Sequence, residues 1–444
     1  MTSATEEKAP DHQLSSSTLE RSGTPRNRDA LLWLIGLVGA IAIPIAAGGK
    51  INLAEVAFLI LIFVILSTLR GHQFLRHLWV FALLWSGAQV VSNIVHDQGF
   101  VTAPVLAGPT VALLATGLYW MYLKLGISVP DILIAVGIGW IALEVVAGGA
   151  LSSSNPWKYH LATPLAVAVL AFAYKRQWKR MTLVVLLFAF AAASRFYDSR
   201  VQTALFLVAA IALLLVTSDR VAQRKRSGKT LAFLLLGAVA VYLVYPSLAM
   251  SGYLGDRAYR QQVSYEAEDA NFVLATRIEF PQVAYLVTQN PVLGIGSYAP
   301  VGRAESAASV NFVDDYISHV TPSDRNYLTR NSDGSWVGYR AHSSAMSSAL
   351  YAGVLALPFW IFLLVRNARG VVRFARGQVV VPALFIYLCG LTTWDVFFSP
   401  LTNRTHMSIG VMMFLLAVVF QVQRDPQPSE ELTPVKSRGS RAAS

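Results

Sequence analysis

The sequence predicts an all-α polytopic membrane protein of about twelve spanning helices, with a large, mainly helical external loop between the ninth and tenth. Three observations predict it. Hydrophobic residues fill 55% of the 444 positions and charged ones only 14%, with a mean hydropathy of +0.50, too apolar for an ordinary soluble domain. Twelve apolar runs approach the roughly 20 residues that a membrane-crossing helix needs. Lysine and arginine collect in alternate loops between those runs, which is the pattern of a cytoplasmic face.

Residues 1–29, with EEK, SSST and TPRNR, lack apolar periodicity and read as a disordered cytoplasmic tail, followed by an anchor that stays rather than a cleaved signal. The expected spans lie near 30–48, 51–69, 78–96, 103–124, 131–149, 159–174, 181–197, 201–217, 231–249, 346–365, 380–398 and 405–421. Basic loops fall at RGHQFLRH (70–77), Lys124, KRQWKR (175–180), DRVAQRKRSGK (219–229) and RNARGVVRFARG (366–377). With these inside, both tails are cytoplasmic, helices one to nine occupy 30–249, and residues 250–345 form an external loop. Helices ten to twelve then occupy 346–421, and 422–444 is a second disordered tail. The net charge of +11 is therefore a topology signal, not a nucleic-acid footprint, which would need a basic face on a soluble module. The single cysteine, Cys389, lies in an apolar run; it excludes an intrachain disulfide and a cysteine-rich zinc site and reads as a buried structural thiol.

The external segment holds ten acidic residues, seven arginines and no lysine. Export explains the missing lysine, not the retained arginine. Arginine is preferred where a planar donor fork must hold phosphate or carboxylate, although most of these seven can equally pair with the acids on a solvated surface. Aromatic residues throughout the segment are enough to pack a small cap. Within it, Val283, Leu286 and Val287 mark one face of a helix over 281–289, with Pro281 in its first turn and Asn290-Pro291 ending it. Gly294 and Gly296 permit the backbone to bend close to the membrane or to a ligand; tight packing would demand the same glycines.

Three outer-face positions stand out. Arg200 sits at the external end of two apolar runs joined by hardly any loop, where a cation needs a wet cavity or a partner; Arg195 and Asp198 offer the plainer reading of an interfacial ion pair. Arg277 precedes the helix just described. His342 lies beside Ser343 and Ser344, either of which suits the N-cap of the tenth spanning helix. His319, near Asp314 and Asp315, is a rival histidine. Glu55, Glu144 and Asp395 are the remaining carboxylates within or near the spans, each able to line a cavity or pair with an aromatic donor.

Three pieces, DSRVQTALFL, Arg277 with QVAYLVTQNPVLGIGSYAP, and AHSSAMSSALYAGVLALP, resemble in type and order the O-antigen ligase and O-antigen polymerase superfamily of bacterial envelope proteins. The likeness covers roughly 180–365; residues 301–335 carry no matching motif. The resemblance implies an inverting glycosyltransferase in the cytoplasmic membrane that needs neither metal nor cofactor. Its donor is a polyprenyl-diphosphate-linked glycan, and its acceptor a hydroxyl of a glycan, lipid or cell-wall component, with membrane lipids as the other partners and no nucleic acid. It implies that Arg200 and Arg277 hold the diphosphate and that His342 is the catalytic base. Arg195 and Arg340 are further substrate-binding candidates, and Arg303, Arg325 and Arg330 lesser ones. A lipid-linked transferase of the kind with an acidic pair in its first external loop is disfavoured, because residues 48–51 contain Lys50 and no carboxylate. A peptidoglycan polymerase would call for a catalytic Asp in its own motif, which nothing matches. A non-enzymatic transporter or flippase is the alternative; it would not need a large Arg- and His-bearing external loop.

Overall fold

The computed structural model describes residues 42–44, 50–98, 102–146, 149–215 and 277–421 apart from 317–319, 321 and 332, together with scattered positions between 228 and 263. Five helices are long and apolar enough to cross a membrane among these residues, spanning Gln73–Val95, Pro104–Lys124, Val129–Val146, Val354–Ala375 and Arg404–Gln421. Shorter apolar helices cover Ile62–Gly71, Arg200–Leu215 and Pro382–Phe398. Helix dominates, as expected of an all-α membrane protein, since a backbone in lipid must satisfy its own hydrogen bonds.

Several expected elements differ in detail. In the first run, Ala42–Pro44 (β1) is extended and pairs antiparallel with Lys50–Asn52 (β2); the rest of that run lies outside the described residues. The second run is divided into α1 (Leu53–Ile60), α2 (Ile62–Leu66) and a 3₁₀ turn over Ser67–Gly71. The hydroxyls of Ser67 and Thr68 donate to Val64 O and Ile65 O, three residues back, at 2.6 Å each, which tightens the chain away from α-helical pairing. The basic stretch 70–77 is not all loop: His72 caps α3 (Gln73–Val95) by accepting from Leu75 N at 3.3 Å. Then follow α4 (Thr102–Lys124), α5 (Val129–Val146), a π turn over Trp157–Leu161, α6 (Ala162–Lys175), α7 (Arg180–Phe196) and α8 (Arg200–Leu215). The ninth run, 231–249, lies largely outside the described residues.

Between α8 and the tenth run, α9 (Glu279–Gln289), α10 (Arg303–Tyr316) and α11 (Pro322–Thr329) are helical, so the described residues of the unmatched stretch 301–335 belong to a largely helical cap. The tenth run is broken. Its first part is α12 (Ser344–Ala352), which stops at Gly353; a 3₁₀ turn, Val354–Ala356, leads into α13 (Leu357–Ala375). The basic stretch 366–377, expected as a loop, is mostly the end of α13, where the partly buried Arg366 and Arg373 lie over aromatic faces of Phe74, Phe362 and Phe420. The chain ends its described part with α14 (Pro382–Phe398) and α15 (Asn403–Gln421).

The core centres on α4, α14 and α15. Every residue from Met407 to Val419 is buried, α15 packing on α4 and α14, while α14 also meets α8 and α13. Polar groups inside this bundle find partners across helices. Tyr387 donates to Gln202 at 2.6 Å and meets Thr163, joining α14, α8 and α6. Asp395 lies 3.6 Å from Arg404 and accepts from Ser408, joining α14 to α15. Glu144 pairs with His160 at 2.5 Å and accepts from Trp140, the aromatic-donor role expected of it. Cys389 is buried, with Asn367 O as its neighbour.

Candidate active site

The site is assembled by α9 and α12. Phe280 N bonds back to Arg277 O at 2.9 Å, so a turn at 277–278 leads into α9, whose first turn begins at Glu279, two residues before the expected start. Val283 and Leu286 bury the predicted face against Val301, Tyr339 and Leu350. Gln282, fully buried, aligns the strand-like stretch leading to His342. Its Nε2 donates to Gly338 O at 3.2 Å and Ser309 Oγ at 3.3 Å, while its Oε1 accepts from Arg340 N at 3.4 Å. The helix stops at Gln289, as Asn290-Pro291 requires.

The Asn-Pro-x-Leu-Gly-x-Gly stretch docks the cap onto the membrane helices. Val354 N donates to Pro291 O at 2.8 Å, Ile295 N to Leu350 O at 2.8 Å and Gly296 N to Tyr351 O at 3.2 Å. From α3, Asn93 accepts Ser297 N at 2.8 Å, Gln89 donates to Ser297 Oγ at 2.9 Å, and His96 Nε2 lies 2.8 Å from Gly294 O. Of the two readings that the glycines allow, the packing one holds: a Cβ on Gly294 would lie 2.4 Å from Leu350 O.

Ser343 is the N-cap of α12; its Oγ accepts Met346 N at 3.2 Å and donates to Val396 O at 2.8 Å. Ser344 Oγ donates to Ser399 O at 2.8 Å. These bonds set the preceding residue, His342, over the C-terminal end of α14, where Arg277, Glu279, Phe280, Val283, Met346 and Phe397 complete a cleft around it.

Glu279 lies at its floor, 3% exposed. Its Oε1 is 3.6 Å from Arg277 Nη1 and 3.5 Å from His342 Nδ1, both too long for a hydrogen bond, and among the described residues neither Oε1 nor Nδ1 has a hydrogen-bond partner. The His342 ring is parallel to that of Tyr327, 6.3 Å away, and Tyr327 in turn lies under the Arg340 guanidinium at 4.5 Å. Burial pushes His342 below its ordinary pKa; Glu279 opposes this, while Arg277 and Arg340 add to it. The imidazole is therefore neutral at pH 7 and able to accept a proton. Burial and the Glu279 charge raise the Tyr327 phenol, with Arg340 and Arg277 opposing, so it stays protonated.

Of the residues expected from sequence, Arg277 and His342 meet here. Arg200 does not line this cleft: it starts α8, half-buried, with its Nε 3.5 Å from Asp198 Oδ1. The ion pair considered at this position therefore forms with Asp198. Arg195 is exposed and packs beside Gly255. Arg340 donates Nε to Tyr327 O at 2.9 Å and Nη2 to Arg330 O at 2.7 Å, which makes it a brace between α11 and the segment before His342. Arg330 donates to Gly334 O, and both it and Arg303 lie over Trp336; Arg325 is exposed on α11. His319 lies outside the described residues. Asp314 accepts Val320 N at 2.7 Å, a turn-holding role.

Glu279 escaped sequence reasoning because an acidic residue in a first helical turn is ordinary, favoured by the helix dipole. The available signal was its place two residues after Arg277, ahead of Phe-Pro at the start of an apolar face, where a carboxylate is carried inward. A scan against protein-family models, a search of curated proteins and a search of solved structures each found no match to this chain.

Proposed function

We propose that this protein is an inverting, metal-independent glycosyltransferase of the O-antigen ligase and polymerase type. It moves a glycan from a polyprenyl diphosphate to an acceptor hydroxyl at the outer face of the cytoplasmic membrane. About twelve spans with both tails cytoplasmic complete this reading, since that topology puts the cleft outside, where a lipid-linked donor presents its glycan.

The observation that carries it is the convergence of Arg277 and His342, 65 positions apart in sequence, on one cleft above α14. The pair has complementary chemistry. A guanidinium fork binds phosphate oxygens and gains most as charge develops on the departing diphosphate. A neutral imidazole takes the acceptor's hydroxyl proton while that oxygen bonds to the anomeric carbon. The bond from that carbon to the diphosphate oxygen breaks on the opposite face, its electron pair stays on the phosphate, and configuration inverts. Arg200 is the second diphosphate ligand in this reading, exchanging Asp198 for the donor.

The experiment is transfer by purified protein from a polyprenyl-diphosphate glycan, with Arg200, Arg277 and His342 each replaced by alanine. His342→Ala should lower turnover by about 10²–10⁴-fold and Arg277→Ala by about 10²–10³-fold. Transfer in excess chelator should match transfer without it. Wild-type turnover from both Arg277→Ala and His342→Ala at equal protein abundance would refute the assignment.

A further inference from the structure

The cleft holds a carboxylate that the proposed transfer has not yet used. Glu279 is almost wholly buried, yet among the described residues its Oε1 has no hydrogen bond and rests between two cation-forming groups at 3.5 and 3.6 Å. A buried carboxylate without hydrogen bonds is costly, and a purely structural one would be expected to close on a donor. Gln282, one turn along the same helix, shows what a structural polar group does here: it engages three neighbours. Arg277 does not account for Glu279 alone, because a guanidinium carries five donors and most remain for another ligand. The atom facing Glu279 is His342 Nδ1, and Tyr327 stacks along the imidazole, restraining its rotation. With Nδ1 turned to the carboxylate, Nε2 is the nitrogen left for a substrate.

We propose that Glu279 is the positioning residue for His342. It accepts a hydrogen bond from Nδ1–H, selects the tautomer whose lone pair is on Nε2, and stabilises the imidazolium formed when Nε2 takes the acceptor's hydroxyl proton. The 3.5 Å separation closes to bonding distance in the substrate complex, as catalytic contacts commonly do. The proton moves only from the acceptor oxygen to Nε2. The division of labour resembles the orientation of a histidine base by a buried carboxylate in serine hydrolases, here beside a phosphate-binding arginine.

The charged and titratable groups facing His342 among the described residues are Glu279 and Arg277 at the start of α9, Arg340 before it in the chain, and Tyr327 on α11; α14 presents Phe397. Glu279 is the one that favours the protonated ring. This inference rests on the transferase reading, so its test has a readout that does not require transfer. In isotope-labelled protein, the His342 ring signals, identified by their loss in His342→Gln, report tautomer and titration directly. In the wild type they should show hydrogen on Nδ1; in Glu279→Gln the titration should move to lower pH, with Glu279→Asp lying between. Turnover in Glu279→Gln should fall about 10–10²-fold at saturating donor, with the donor KM little changed and the rising limb of the pH profile displaced the same way. An unchanged His342 titration in Glu279→Gln, or hydrogen on Nε2 in the wild type, overturns the proposal. Displaced ring signals in a protein that transfers no glycan would keep the pairing and discard the transferase reading instead.

Discussion

Replacing Gly353 with alanine should be far more damaging than the same change at Gly334, though both glycines have left-handed backbones, with φ of +73° and +80°. A Cβ at Gly334 meets nothing within 4 Å among the described residues, so Gly334→Ala carries only the left-handed penalty of roughly 1–2 kcal/mol. At Gly353 the added carbon would lie 1.9 Å from Val292 O and 2.3 Å from Val292 C, both backbone atoms that cannot rotate aside. Relief requires separating α12 from the Asn-Pro stretch, which strains or breaks the bonds from Val354 N to Pro291 O, Ile295 N to Leu350 O and Gly296 N to Tyr351 O. At roughly 1 kcal/mol for each bond, the total for Gly353→Ala is about 4–5 kcal/mol, a large part of a typical folding free energy. The junction is also what ties the helix carrying Glu279 to the helix that follows His342, so any surviving Gly353→Ala protein should lose turnover as well. Thermal unfolding of the detergent-solubilised variants, followed by the fluorescence of the ten tryptophans, measures the first effect. Equal unfolding midpoints for Gly353→Ala and Gly334→Ala would refute the packing role assigned to this junction.

Other outcomes follow from the cleft. Because burial holds His342 below the usual histidine pKa and only its neutral form accepts a proton, turnover should rise with pH along a limb lying below that of an exposed histidine, then level off; a limb at or above the ordinary value contradicts the burial argument. Arg340→Lys should destabilise the cap almost as much as Arg340→Ala, by about 1–3 kcal/mol, because a single ammonium cannot reproduce two carbonyl bonds and the stack on Tyr327; limited proteolysis of the cap reports it. Arg200 and Asp198 give a clean contrast: if Arg200 serves the donor, Asp198→Ala should keep or tighten donor binding while Arg200→Ala weakens it, and matching losses from both would mark a structural ion pair.

The membrane-helix class, the hairpin of α7 and α8, the stop at Asn290-Pro291 and the capping serine beside His342 were legible in the sequence because each has a local cause. Apolar length, turn-forming residues, a proline that blocks helix continuation and a side-chain oxygen placed for Met346 N all act within a few residues of one another. Where the reading slipped, a distant partner intervened. Gly353 breaks the tenth run because Val292 packs against it, and the arginines of α13 stay helical because they lie over Phe74 and Phe420 from other helices. The same holds at the cleft. Arg277 and His342 could be singled out one by one from charge and position. Their meeting, the diversion of Arg340 to two carbonyls, and the burial of Glu279 between them depended on the glycine stretch after α9 docking on α12 and on Gln282 holding the segment before His342. By itself, the sequence determined the helical membrane class and which residues carry usable chemistry, since those follow from short-range pattern. Only the tertiary structure decided which of those residues share a cleft and which carboxylate is sealed beneath it, because burial and charge pairing arise between segments far apart in the chain.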